Sequence, residues 1–245
     1  MNPASPTPAE RILAHLQQVQ AERALRAADA GLSAQVAAVK AYQRDRFARS
    51  HADLLAHPRY GDAARFFLDD LYGPQDFAER DAQFARIVPA LVRLFPSDIV
   101  ATVESLAALH ALSESLDSAM GRALAPAAPI TAASYATAWQ TVGRAQDRER
   151  QVALVVALGR QLDRYTRNRL LRQSLRLMRG PARSAGLGAL QAFLERGFDT
   201  FGSMRGADDF LVLVEDRERS LMRALFAPDA VALATGGDGF LGQLP

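Results

Sequence analysis

The sequence specifies an all-α fold, a bundle of about eight to nine helices in one or two packed lobes, and three observations carry that expectation. Apolar residues recur at spacings of three and four through most of the chain, the period of a helix with one buried face. No stretch alternates β-branched with polar residues, and no Asn-Gly turn joins two apolar runs, so nothing reads as a hairpin. Helix-breaking pairs and clusters such as Gly73-Pro74, Gly180-Pro181 and Gly202 to Gly206 punctuate the periodic segments.

The elements follow in order. Thr7 and Pro8 supply an N-cap and a first-turn proline, so the first helix is expected from Pro8 to about Asp29, closed by Gly31. Ser33 is the expected cap of a second helix reaching about His57, where Pro58 favours a break. A third helix carries Phe66, Phe67, Leu68 and Leu71; Gly73 supplies a left-handed stop and Pro74 cannot continue it. Asp76 then caps a fourth helix from Phe77 to about Phe95, with Glu79 completing a capping box and Pro89 as a kink. Pro96 and Ser97 precede a long fifth helix from about Asp98 to Leu124.

The stretch APAAPITAAS, residues 125–134, reads as a linker between an N-terminal lobe (1–124) and a C-terminal lobe (135–227). Beyond it four helices are expected, over about 132–145, 147–178, 182–201 and 208–226, and the glycine-rich end, 228–245, reads as a flexible tail.

The densest segment is Arg65 to Asp81, RFFLDDLYGPQDFAERD, a tight corner between two helices. Asp69, Asp70, Tyr72, Asp76 and Arg80 form its polar part, either a ligand mouth or, as charges near helix ends ordinarily are, a solvated acidic face paired with Arg80 and Arg86. This string, together with GLGALQAFLERGFDTFGSMRGADDFL from Gly186 to Leu211, resembles an uncharacterised family of bacterial, chiefly proteobacterial, all-helical proteins with an FFLxDLYGPxDFxxRD-type motif. The resemblance covers about Tyr42 to Leu225. It implies a stand-alone helical protein and lends no catalytic residue, because that family has no assigned activity.

Composition narrows the function classes. With 245 residues and 49% hydrophobic residues the chain can bury a substantial core. Cysteine is absent, which excludes disulfides, thiolate metal sites and cysteine nucleophiles. The N-terminal stretch shows no basic and apolar secretory pattern, and the longest plain apolar run, Val152 to Leu158, is too short to span a bilayer, so a soluble cytoplasmic protein is expected. No phosphate loop, nucleophile elbow, zinc helix or dinucleotide fingerprint occurs.

Two constellations could carry chemistry. His110, Glu114 and Asp117 lie at i, i+4 and i+7 on the fifth helix, in line with Ile99 and Val103, so a polar trio sits beside an apolar stripe. A metal or haem site there requires further ligands from other helices, and a satisfied hydrogen-bond network is the plainer reading. Residues 144–183 hold 11 basic and 3 acidic residues, and Arg160, Arg164, Arg167, Arg172 and Arg176 form a stripe continuing to Arg183 that suits a polyanion such as nucleic acid. The acidic segment behind it, with Asp208, Asp209, Glu215, Asp216 and Glu218, offers intramolecular partners and makes compensation the favoured reading. Phe193, Phe198, Phe201 and Phe210 read as core. The expected function is a non-enzymatic binding or interaction module for a small ligand or a protein partner, with no cofactor favoured.

Overall fold

The computed structural model describes residues 5–71, 77–126, 128–236 and 239–245. Each helix begins where a side chain or a turn satisfies its free backbone donors. Thr7 and Glu10 form a reciprocal capping box for α1 (Pro8–Ala27). The Asp29 side chain accepts from the Leu32 N–H and opens α2 (Ala30–Ser50). Gly31 and Ser33, expected as a stop and a cap, therefore lie inside α2, because Asp29 already provides the capping carboxylate four residues earlier than Ser33.

The chain then makes α3 (Ala52–Ala56), α4 (Gly61–Phe66) and a π-helical turn at Phe67–Leu71. Tyr72, Gly73, Pro74 and Asp76, the expected helix stop and start, lie outside the described residues. α5 (Ala78–Leu94) has Phe77 in its N-cap position with no side-chain cap, and it accommodates Pro89 internally. α6 (Ser97–Ala123) is the longest helix described, followed by α7 (Ala132–Val142) behind a Thr131–Ser134 capping pair.

The expected helix over 147–178 is divided. α8 (Ala145–Thr166) stops at Arg167, and the Asn168 side chain accepts from the Leu170 and Leu171 N–H groups to restart the chain as α9 (Arg169–Leu177). α10 (Arg179–Ser184), α11 (Gly188–Met204) and α12 (Asp208–Phe226) follow. The segment expected as a flexible tail holds α13 (Ala230–Gly236) and a 3-10 turn at Gly239–Gln243, and it buries Ala230, Ala234, Leu241 and Leu244. The described residues thus form thirteen α-helices, are 84% helical and contain no strand. The excess over eight to nine comes from the breaks at His51, at Asn168 and at residues 185–187 and from the folded C-terminal segment, while Gly180 and Pro181, expected as a stop, lie inside α10.

The helices pack around α6, which touches α1, α2, α5, α7 and α8. A Cβ on Gly121 would stand 2.7 Å from Val36 Cγ2, so glycine there permits the close approach of α2 and α6. Three apolar clusters result. One gathers Phe47, Phe67, Phe201 and Phe210, a second Tyr42, Met120, Tyr135 and Leu225, and a third Ile12, Phe84, Val88 and Ala107. Each cluster takes residues from both sides of the 125–134 segment. α6 is also the one described helix long and apolar enough to cross a membrane by length and composition; here it is the centre of the bundle.

Between the first two clusters, Glu218 on α12 is partly buried and faces Arg46 and His51 of α2 and its C-cap, with His51 Nε2 at 3.0 Å. Burial pushes this carboxyl up, but Arg46 and His51 more than reverse that and hold it down at about 2 instead of its ordinary 4.5. A carboxyl lowered on folding contributes stability above its unfolded value and loses it as pH falls through its folded one. Glu218 should therefore withdraw its contribution between about pH 4.5 and pH 2. Glu218→Gln is expected to cost about 3 kcal/mol at neutral pH and to flatten stability across that acid window, measured by urea unfolding. For the caps, Asp29→Ala should cost about 1 kcal/mol while Ser33→Ala changes stability little, a contrast that thermal melts can read.

Candidate functional site

Four helices leave a space between them. α6 turns Ile99, Val103, Leu106, His110, Ser113, Glu114 and Asp117 toward it, at the three- and four-residue spacing of a single helix side. α5, α8 and α11 complete the wall with residues such as Phe84, Leu91, Leu158, Leu162, Phe193 and Phe198. The resulting cavity has a volume of about 560 Å³. From Ile99 to Asp117 the α6 axis rises by roughly 27 Å, so the space is elongated along that helix.

Its two ends differ. At one end Leu94 of α5 and Phe95 after it, Ile99 and Thr102 of α6, Tyr165 of α8, Leu171 and Leu175 of α9 and Met178 after it surround the mouth. The Thr102 and Tyr165 hydroxyls are 2.9 Å apart there. Along the middle the lining is aliphatic and aromatic. At the far end it becomes polar, with Lys40, Gln43, Arg80, Asp81, His110, Glu114, Asp117 and Gln151.

The polar end is a connected network in which nearly every charge has a partner. His110 Nε2 lies 2.8 Å from Asp81 Oδ2, and Asp81 also accepts from Arg23 at 2.8 Å. Glu114 accepts from Arg26 at 2.5 Å and from Lys40 at 2.8 Å. Asp117 accepts from the Gln43 amide at 3.2 Å, with Lys40 Nζ at 3.9 Å. Gln151 on α8 donates to the Ser113 hydroxyl at 2.8 Å.

The electrostatics follow from this wiring. Burial pushes the Asp81 carboxyl up, but the His110 hydrogen bond with Arg80 and Arg23 nearby brings it below its ordinary value. Glu114 is likewise lowered, with Lys40 and Arg26 overcoming its burial. Asp117 goes the other way. Its burial, reinforced by the Glu114 charge, outweighs Lys40 and raises it.

His110, Glu114 and Asp117 thus share the helix side that the sequence implied and do line a cavity, yet each turns to its own partners. Among the described residues no group of three or more His, Cys, Asp or Glu side chains is arranged to hold a metal ion. At the corner, Asp69 pairs with Arg44 at 3.1 Å and Asp70 with Arg196 at 2.5 Å. Of the two expected partners, Arg86 donates instead to the Ala185 carbonyl, whereas Arg80 reaches Asp70 through its backbone carbonyl at 3.3 Å, with the guanidinium 4.0 Å over the Phe77 ring. Asp70 and Arg80 line the cavity, while Tyr72 and Asp76 lie outside the described residues.

In the basic stripe Arg160 pairs with Glu215 (3.3 Å), Arg164 with Asp98 (3.5 Å) and Arg167 with Asp163 (2.5 Å). Arg172 and Arg176 share Asp199. Only Glu215 comes from the set of acids expected to compensate them; the others are brought in by α6, α8 and α11. Sequence reasoning read Phe193, Phe198 and Phe201 as core, and all three line the cavity. A recognisable signal was the alignment of Ile99 and Val103 with the polar trio.

A family model, Domain of unknown function (DUF8198), matches residues 12–232, a span that includes every cavity-lining residue. The chain belongs to the DUF8198 family. The family region begins on α1, four residues before the lining residue Leu16, and continues to α13. Comparison with curated proteins and with solved structures gives no match.

Because Glu114 faces three cations, Arg23, Arg26 and Lys40, Glu114→Gln should destabilise the protein by about 3 kcal/mol. Lys40→Met should cost less in that variant than in the parent, with a coupling of at least about 1 kcal/mol in a double-mutant cycle read by urea unfolding.

Proposed function

We propose that this protein binds a small amphipathic molecule with an elongated apolar body, held in the cavity with its polar group at the His110 end. The observation that carries the reading is a largely apolar space of about 560 Å³, within the range of small-molecule pockets, that ends in a cluster of polar side chains. Left without contacts, an apolar void of this size would cost on the order of 10 kcal/mol, comparable to the whole stability of a domain. Water relieves that cost poorly, since an apolar lining offers it few hydrogen bonds. A hydrocarbon occupant relieves it well.

The polar end supports the orientation. Asp81 engages His110 Nε2, and His110 Nδ1 makes no hydrogen bond among the described residues, so it is available to a ligand's polar group. Glu114 and Asp117 are occupied by Arg26, Lys40 and Gln43, which favours binding over metal chemistry at that trio.

Titration with straight-chain carboxylic acids of increasing length, followed by displacement of an environment-sensitive dye, tests it. Affinity is expected to rise about fourfold per methylene until the chain fills the cavity, because each buried CH₂ contributes about 0.8 kcal/mol. Leu106→Trp, which fills the middle of the space, should weaken binding at least about tenfold without lowering the melting temperature, since it replaces void with contacts. No saturable binding, or affinity that ignores chain length, would overturn the reading.

A further inference from the structure

The mouth of the cavity is apolar on its outer side as well as its inner one. Eight large hydrophobic side chains are exposed among the described residues; three of them, Leu94, Phe95 and Met178, line this opening, and two more, Leu170 and Leu177, stand on α9 beside the lining residues Leu171, Leu175 and Met178. Leu170 and Leu177 are 73% and 79% exposed, one heptad apart on α9. On the adjoining side of the same helix Leu171 and Leu175, with Met178 at its C-cap, line the cavity, and no α9 residue is buried. α9 therefore carries an apolar arc about half its circumference wide. Only the inner half of that arc has a protein surface to cover.

The opposite side of α9 is cationic. Arg169, Arg172 and Arg176 follow at spacings of three and four, and no acidic residue occurs from Arg169 to Arg183. Arg172 and Arg176 share the single carboxylate of Asp199. Arg169 and Arg183, and Arg93 beside Leu94, are exposed and have no carboxylate within ion-pair distance among the described residues. The rim combines unsatisfied positive charge with uncovered leucine, the two properties of a helix that lies in a bilayer interface.

We infer that this rim docks on the surface of an anionic lipid bilayer, with Leu170, Leu177 and Leu94 among the outer acyl segments and the arginines among the headgroup phosphates. Charge complementarity selects this occupant. A second copy of the chain would bring arginine against arginine with no acid on α9 or α10 to meet it. A nucleic acid would satisfy the guanidinium groups but leave the leucines in water. Docked in this way, the mouth opens toward the acyl layer, giving an apolar ligand a route that avoids water. As a ligand route the inference rests on the proposed binding function; as a docking surface it rests on the rim alone.

The test is co-sedimentation of the full chain with vesicles of phosphatidylcholine and with vesicles of equal parts phosphatidylcholine and phosphatidylglycerol. The mixed vesicles should bind the protein, the neutral ones much less, and added salt should weaken the binding. Leu170→Ser with Leu177→Ser should reduce partitioning at least about tenfold while circular dichroism and melting stay as in the parent, because both side chains are exposed. Arg169→Gln with Arg183→Gln should weaken binding to the mixed vesicles and flatten its salt dependence. Failure to bind either vesicle overturns the inference. So does binding indifferent to the leucine pair, or self-association abolished by that pair in sedimentation velocity without vesicle binding. If the parent takes up carboxylic acids but ignores vesicles, the docking surface falls and the cavity reading stands; vesicle binding without uptake reverses that outcome.

Discussion

A buried carboxylate on the central helix ties the bundle together. Glu114 sits on α6 and accepts from Arg26 of α1 and Lys40 of α2, so one side chain joins three helices. Its burial is tolerable only while both cations remain, and they remain in place only if α1 and α2 pack along α6 in this register. The same requirement extends to Asp81, which takes Arg23 from α1 and His110 from α6 and so locates α5. Apolar contacts determine that these helices associate, since they are not directional. The ionic network selects which side of each helix faces inward.

That network also explains why one end of the cavity is closed and the other open. Near Glu114 the helices are drawn together by charge-assisted hydrogen bonds from α1, α2 and α5 and by the neutral Gln151–Ser113 bond from α8. Toward Ile99 the ties between α6 and α8 are more exposed: the Thr102 and Tyr165 hydroxyls meet, and Asp98 pairs with Arg164 at 3.5 Å. There the wall is completed by α9, a helix with no buried residue that follows directly after the Asn168 restart. Polar, satisfied contacts at one end and a weakly anchored cover at the other are compatible with a rigid anchor and an entrance that can open.

Much of the fold was legible in the sequence, for reasons that lie in particular residues. Thr7 with Pro8 opens α1, and the periodicity from Asp208 to Phe226 marks α12 at the bounds observed. Breaks were harder to read. Asn168 interrupts a run whose apolar spacing continues on either side, and its capping role depends on a backbone conformation that composition does not reveal. The C-terminal segment looked loose because glycine dominates it locally, yet Leu241 and Leu244 find a surface made by distant helices. The site was legible in part. Ile99, Val103 and His110 could be aligned on one helix, but the space they face exists only because α5, α8 and α11 stand around it. No local pattern distinguishes Phe198 lining a void from Phe210 filling a core.

The C-terminal contact has a consequence for the order in which the molecule assembles. The Tyr42 hydroxyl donates to the Pro245 carbonyl across 203 positions of sequence, and Leu241 and Leu244 pack in the cluster that holds Tyr135 and Trp139. During synthesis, α1, α2, α5 and α6 can collapse early on short loops, which closes the ionic end of the bundle first. The aromatic cluster stays exposed until residues 241–244 have emerged. From the synthesis of Trp139 to that of Leu244, the growing chain therefore carries Tyr42, Tyr135 and Trp139 without their last packing partners.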